Sequence, residues 1–546
     1  MKASTLPLTR DVVLIGGGHT HALVLRKWGM SPLPGARLTV IDPNPAAAYS
    51  GMLPGHVAGH YTRDDLEIDL VKLARFAGAR LILGAATGID RAARSVQVPG
   101  RPPIGFDLCS IDIGITSEMP NLPGFADHGV PAKPLGQFAR RWQAFLSENG
   151  PAAVVVIGAG VAGTELALAM AFALRRAGKT GGVTLIDAAA AFPGISPRAT
   201  SRLRGELSRQ GVALVEHAPV ARLATGAVVL ADGREIPAGF VVGAAGAQPQ
   251  GWLTRTGLDL TEGYISVDAE LRSSDAAIFA AGDCAHLSMA PRPKAGVFAV
   301  RAAPVLYHNL RAALTGGASR PYRPQRDYLK LISLGERRAL ADRFGLAPSG
   351  ALMWRWKDRI DRRFMDKFRD LPAMAPPPLP AMRALGVDEA LGDKPMCGGC
   401  GAKVGRDTLR GALGPGADRA RADITPLPGD DAALLRTGGV DQVISSDHLR
   451  AFTADPVVMT RIAAMHALGD IWAMGAAPQV ATATLILPRQ SEVLQARMLA
   501  EIMQSARAVM DDAGAAIVGG HTSLGDELTV GFTVTGLCAR PPVTLA

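Results

Sequence analysis

Residues 152–174 read AAVVVIGAGVAGTELALAMAFAL. The run is nearly all apolar and about long enough to cross a bilayer, but its glycines and Glu165 argue against a span, since a carboxylate is expensive in lipid. A buried parallel strand, a tight turn and a helix packed on the sheet give the same hydropathy. On that reading Gly158-x-Gly160-x-x-Gly163 makes the turn, lets the backbone approach a pyrophosphate and brings the helix close to the strand, while the helix N-terminus offers amide donors. One strand later, VTLID (183–187) ends in Asp187. An acid there bonds the ribose hydroxyls of NADH and repels the 2′-phosphate of NADPH.

The N-terminal stretch DVVLIGGGHTHALVL (11–25) repeats the arrangement, with Gly16-x-Gly18, His21 at the third glycine position, and RLTVID (37–42) ending in Asp42. Two such bends with matched acids predict two dinucleotides, a flavin and a nicotinamide, with electrons passing between them. AAIFAAGDCAH (276–286) adds a strand running into Gly282 and Asp283, where a carboxylate can bond a polyol.

With these pieces in place, residues of about 10 to 370 resemble the two-dinucleotide-binding flavoprotein oxidoreductases. The resemblance implies that Gly16, Gly18, Asp42, Gly282 and Asp283 bind FAD, and that Gly158, Gly160, Gly163 and Asp187 bind NAD(P)H. It also implies a nicotinamide domain of about 150–245 inserted in the FAD domain, with SIDIGIT (110–116) and VVGAAGAQP (241–249) as the crossover strands. Disulfide reductases of this family carry a cysteine pair where this chain has YSGMLPGHVAGHY (49–61). That stretch looks more like type II NADH dehydrogenases and sulfide:quinone oxidoreductases. Cys109 and Cys284 could form a sulfide-handling pair, although free cysteines on apolar strands are usually small buried hydrophobes.

Residues 354–371, WRWKDRIDRRFMDKFRDL, place Trp356, Ile360, Phe364, Phe368 and Leu371 at helical spacing among many basic residues. Two readings stand: a basic amphipathic helix on an anionic membrane, or a helix docked on its own domain. The proline-rich stretch 372–394 then reads as a linker.

Beyond it the texture changes to short apolar runs ending in aspartate: Asp430 and Asp431, Asp447, Asp470, and a Gly519-Gly520-His521 turn. Carboxylates on separate segments suit Mg²⁺ shared with nucleotide phosphates. Ahead of them lies KPMCGGCGAKVG (394–405). A zinc knuckle needs four ligands and no second CxxC exists; a thioredoxin-like site would place the motif between strand and helix. A thiol beside a phosphate-holding lysine remains.

Taken together, CGGCGAKVG, GDDAA, SSD, RIAAMHALGDIWAMG and IVGGHTS resemble selenophosphate synthetase (selenide, water dikinase). The resemblance implies Cys400 at the catalytic Cys/Sec position and Lys403 as the catalytic, ATP-binding lysine. It further implies Asp447, Gly519, Gly520 and His521 as nucleotide contacts, and Asp431 and Asp470 as Mg²⁺ ligands. Cys397 is off the catalytic position. That family continues past FTVTGLC into a second α/β domain, of about 150 to 200 residues by ordinary domain size.

The length of 546 residues exceeds one hydrophobic core. A net charge of +9 is spread thinly, which fits anionic ligands and offers no nucleic-acid-binding motif. Five cysteines and the absence of a leader pattern lead to the expectation of a cytoplasmic enzyme, with peripheral contact at the inner membrane face as the variant. The expected fold class is α/β: two Rossmann-like domains in 1–371, followed by an α+β selenophosphate synthetase/PurM-like N-terminal domain in 395–546. The expected ligands are FAD, NADH, Mg²⁺, ATP and selenide, and the expected assembly is a homodimer through the C-terminal module.

Overall fold

The computed structural model describes residues 6–117, 119–150, 152–374, 378–392, 397–413, 421–427 and 432–544, with the side chains of Cys400, Arg406 and Arg410 outside the description. Strand β1 (Arg10–Ile15) runs into helix α1 (His19–Met30), then β2 (Ala36–Asp42), β3 (Arg80–Leu83) and β4 (Leu108–Ile111). These strands pair in parallel and are buried, as expected of a sheet covered on both faces.

The chain then leaves this sheet. Thr116 and Gln248 exchange backbone hydrogen bonds of 2.9 and 2.8 Å, closing the neck of an inserted unit. Within it lie β5 (Gly129–Pro131), α2 (Leu135–Ser147), β6 (Val154–Ile157), α3 (Val161–Arg176), β7 (Val183–Ile186), β8 (Val212–Val215) and β9 (Phe240–Gly243). The sheet order is β5-β9-β6-β7-β8, all parallel. The insertion therefore begins well before residue 150, because β5 is a strand of its sheet and Phe138 and Trp142 of α2 lie in its core. The apolar run 152–174 is β6, the glycine bend and most of α3. No helix among the described residues is long and apolar enough to cross a membrane.

Strand β10 (Ile278–Ala280) returns to complete the first sheet as β10-β4-β1-β2-β3. Helix α4 (Ala351–Arg369) then docks on this module: Trp354, Phe364 and Phe368 enter its core, and Lys357 and Asp361 are buried as a 2.6 Å pair. The apolar row expected along this helix is split, since Phe364 and Phe368 face inward while Trp356 and Ile360 are exposed. Trp354 takes the inward place, where it stacks on Tyr61.

Among the described residues, the C-terminal module is a six-stranded sheet with two long helices packed on it. Its elements are β11 (Ile424–Thr425), β12 (Ala433–Thr437), β13 (Val440–Arg450), α5 (Pro456–Ala473), β14 (Ala477–Pro488), α6 (Glu492–Asp512), β15 (Ala516–Gly525) and β16 (Thr529–Leu537). The order is β11-β12-β13-β16-β14-β15. Alternate residues such as Val530, Phe532 and Val534 of β16 meet Ala464, Leu468 and Ile502 of the helices in a separate core.

Candidate functional sites

The two glycine bends are built alike. At the first, the Gly17 amide donates to Asp42 Oδ2 at 2.7 Å; at the second, the Ala159 amide donates to Asp187 Oδ2 at 2.7 Å. Each acid also takes an amide two residues on, at 2.8 and 2.9 Å. The bends differ at the third position. A Cβ at Gly163 would sit 1.9 Å from the Gly158 carbonyl oxygen, so only glycine allows α3 this close to β6.

His21 solves the same problem with a ring. Its Nδ1 is 2.7 Å from the Gly16 carbonyl oxygen, which can only accept, so the proton is on Nδ1 and Nε2 accepts from the Ser110 hydroxyl at 2.8 Å. Burial pulls its pKa down to about 4, which keeps the ring neutral. Asp112, at the end of β4, accepts the His21 amide at 2.9 Å and is pushed up to about 6 by burial. Gly282 has φ +69°, and a Cβ there would lie 2.1 Å from Asp112 Oδ1. Asp283 pairs with Lys133 at 3.1 Å. The first sheet thus gathers Gly16, Gly18, Asp42, Gly282 and Asp283 at the ends of its strands, with Asp112 as a member that sequence reasoning missed and His21, read there only as the break in the glycine pattern, as another. A glycine bend at a helix start and an acid one strand away are the arrangement that a dinucleotide needs.

Cys109 and Cys284 are both buried. Burial pushes the Cys109 thiol up and that of Cys284 to about 12, which suits small core residues rather than nucleophiles. Glu165, on α3 between the two dinucleotide units, accepts the Ser333 amide at 2.6 Å, and burial raises its pKa to about 7.

In the C-terminal module, Asp447 stands on β13 two residues from Ser445, on the face that meets α5, and His466 and Asp470 lie four apart on α5. Ser445 donates its hydroxyl to Asp470 Oδ2 at 2.6 Å, His466 Nδ1 is 2.6 Å from Asp447 Oδ2, and Lys403 Nζ is 3.9 Å from the same oxygen. One ligand atom from each of Asp447, His466 and Asp470 lies within 4.8 Å of the other two. Lys403, Asp447 and Asp470 are therefore brought together, with His466 as a further member. Its signal was its position four residues before Asp470.

Gly519, Gly520 and His521 are not in this cluster. They are exposed on edge strand β15. Gly520 is level with Asp447 through Ala483 and Phe532, but three strand spacings, roughly 14 Å, away. His521 opposes the exposed Thr484, on the other face of the sheet. Asp431 lies outside the described residues, as does the side chain of Cys400, whose backbone opens a short helical turn, Cys400–Ala402.

Known proteins divide along the same line. The sequence model of the pyridine nucleotide-disulphide oxidoreductases matches residues 10–303, and that of the N-terminal domain of AIR synthase related proteins matches 429–538. A nitric oxide reductase FlRd-NAD(+) reductase of Pectobacterium atrosepticum is 29% identical over 296 residues, 51% of this chain and 73% of that protein. Selenide, water dikinase of Geobacter metallireducens is 38% identical over 144 residues, 26% of this chain. The match spans only 41% of the dikinase's own length. Among solved structures, the sulfide:quinone oxidoreductase of Aquifex aeolicus shares the fold at a TM-score of 0.56 and 17% identity, over 66% of this chain and 92% of that one. The chain is an enzyme of the pyridine nucleotide-disulphide oxidoreductase family, a membership that implies FAD and a pyridine nucleotide, and behind its oxidoreductase module it carries a stretch that matches the AIR synthase-related N-terminal domain and is similar to part of selenide, water dikinase.

Proposed function

We propose that the chain is a bifunctional enzyme of selenium metabolism, an FAD-dependent NADH oxidoreductase fused to a module that turns ATP, selenide and water into selenophosphate, AMP and phosphate. One observation carries this reading. The same chain holds two acid-closed glycine bends and, in the stretch related to selenide, water dikinase, a cluster of Lys403, Asp447, His466 and Asp470. Covalent linkage would keep an oxidisable intermediate at high local concentration near the second site.

FAD, when bound, supplies acceptance of a hydride from NADH and its onward transfer. The amides around Gly16 and Gly18 and around Gly158, Gly160 and Gly163 hold the pyrophosphates. Asp42 and Asp187 exchange their backbone partners for ribose hydroxyls, and Asp283, at Gly282, meets the flavin's polyol chain. In the rear module Asp431 and Asp470 would hold Mg²⁺, Asp447 contacts the nucleotide, Lys403 neutralises phosphate charge and Cys400 presents selenium. Gly519, Gly520 and His521 contact nucleotide across a homodimer formed through this module. The exposed Val518 and Leu524 on β15 support that interface. The protein works in the cytoplasm.

A second reading is a membrane-associated NADH:quinone reductase with an inactive nucleotide-binding tail. The exposed row Leu352, Trp356 and Ile360 on α4, flanked by Arg355, Arg359 and Arg363, favours it. A flavin spectrum, NADH oxidation with quinone, and ATP-dependent AMP formation with selenide separate the two. Flavin bleaching by NADH together with AMP formation supports the fusion reading. Bleaching without AMP supports the reductase, and a colourless protein that refuses FAD overturns both.

A further inference from the structure

Lys133 belongs to the inserted unit and Asp283 to the first sheet, yet their side chains meet at 3.1 Å. The strand registers show where. Ala280, Ile111 and Ile15 are level across β10, β4 and β1, so Asp283, just past Ala280, stands at the same end of the first sheet as the Gly16 bend. Pro131, Gly243 and Ile157 are level across β5, β9 and β6, so Lys133, just past Pro131, stands at the end of the second sheet that carries the Gly158 bend. Dinucleotides bind outside the carboxyl ends of parallel strands. The pair therefore bridges the two binding edges, where a flavin held by one and a nicotinamide held by the other come together. This inference rests on the reading that the front module binds FAD and takes hydride from NADH.

The cation is built into that place. The Lys133 amide donates to the Ser117 hydroxyl at 2.9 Å and its carbonyl accepts the Ser117 amide at 3.5 Å, which ties its backbone to the neck beside Thr116. The Lys133 side chain is 33% exposed and that of Asp283 19%, so water screens the pair only in part. Two other basic groups near Asp283 are committed or neutral. Lys294 Nζ donates to the Ala285 carbonyl at 2.6 Å and lies over the Tyr264 ring at 3.8 Å. Burial lowers the pKa of His19, which keeps its ring uncharged. Asp112, which feels the Asp283 charge, is a second carboxyl at this end of the sheet.

Hydride transfer from NADH delivers two electrons and one proton to FAD, leaving NAD⁺ and a reduced flavin with one more negative charge than before. A fixed cation beside the flavin stabilises that added charge, and an uncompensated carboxylate opposes it. We propose that Lys133, reaching across from the inserted unit, sets the reduction potential of the bound flavin by cancelling the Asp283 charge and so favouring the reduced, anionic form.

The test uses the full chain loaded with FAD, its absorbance followed during slow reduction against a reference dye of known potential at fixed pH. Lys133→Met should shift the equilibrium toward oxidised flavin at least about tenfold, a fall of about 30 mV for a two-electron couple. Lys133→Arg keeps the charge and should stay within about twofold of the parent. Affinity for oxidised FAD, measured by titrating the apoprotein, should change less than about threefold in both variants, because only the reduced form gains from the cation. Lys133→Gln, read the same way and with an unchanged circular dichroism spectrum, guards against a folding defect in Lys133→Met. An unmoved potential in Lys133→Met and Lys133→Gln overturns the proposal, as does a Lys133→Arg variant that falls as far as they do. A parent chain that binds no FAD overturns the flavin reading along with it.

Discussion

Arg80 of the first sheet and Glu501 of α6 form a two-pronged ion pair closed to solvent: Nη1 meets Oε1 at 3.0 Å, Nη2 meets Oε2, and the side chains are 2% and 4% exposed. Asp455, at the head of α5, stands 3.2 Å from Arg80 and takes Arg101 at 2.6 Å, and Arg497 reaches Asp11 at 3.0 Å. The oxidoreductase module and the rear module are thus joined by buried charge as well as by chain. Removing one member of such a pair costs about 3–5 kcal/mol, because the other is left buried and unpaired. Glu501→Ala should therefore loosen the modules so that calorimetry resolves two unfolding transitions. An Arg80→Met/Glu501→Leu double variant should recover most of the loss. One unshifted transition in Glu501→Ala would deny the pair its coupling role.

On the proposed function, Asp187 should decide between the two nicotinamide cofactors. Its carboxylate is held at the bend by the amides of Ala159 and Ala189, pointing at the place where the adenosine ribose belongs in such a fold. A 2′-phosphate would meet that negative charge. Asp187→Ser should lower kcat/KM for NADH and raise it for NADPH, moving the ratio by about tenfold or more, roughly 1.4 kcal/mol. Steady-state rates with the two cofactors measure it, and an unmoved ratio would place the ribose elsewhere.

Both bends were legible because strand, glycine turn, helix and terminal acid are local and repeat within one chain. The start of the inserted unit was not. Strand β5 has three residues and no glycine signature, and the Thr116–Gln248 neck joins residues far apart in sequence. On α4 the apolar row is split for a different reason: Lys357 and Asp361 neutralise each other inside and take part of the buried face. In the rear module, the non-sequential strand order set two strands between Asp447 and Gly519–His521, which lie within β15 instead of forming the expected turn, and no spacing along the chain could show this.

Leu352, Trp356 and Ile360 lie one turn apart on the outer side of α4, and Phe344 and Leu346 are exposed on the hairpin that leads into it. A basic, apolar face of this kind binds anionic bilayers weakly and reversibly. The inward residues Trp354 and Phe364 are part of the core, so a test on them would report folding instead. Trp356→Glu with Ile360→Glu should leave the melting temperature within about 2 °C, since surface changes are usually within about 0.5 kcal/mol. The same variant should lower flotation with phosphatidylserine vesicles by about fivefold or more, because two buried apolar side chains together contribute about 3 kcal/mol or more. Equal flotation would remove α4 as the contact.

Glu165 gives the oxidoreductase module a pH dependence of definite sign. Burial lifts its pKa from 4.5 to about 7, against the pull of Lys357 and the Ser333 amide, so the folded protein favours the protonated acid. A group raised on folding contributes fully below its unfolded value and loses that contribution as pH rises through the folded one. Stability should accordingly decline between about pH 4.5 and about pH 7, by on the order of 3 kcal/mol for a shift of this size. Glu165→Gln keeps the shape and one acceptor for the Ser333 amide but cannot ionise, so its stability should be flat across the same window and should exceed that of the parent at pH 8. Urea unfolding at half-unit pH steps reads the difference. If parent and variant show the same slope, the dependence belongs to other carboxyls, with Asp112, raised to about 6 by burial, the next to be replaced.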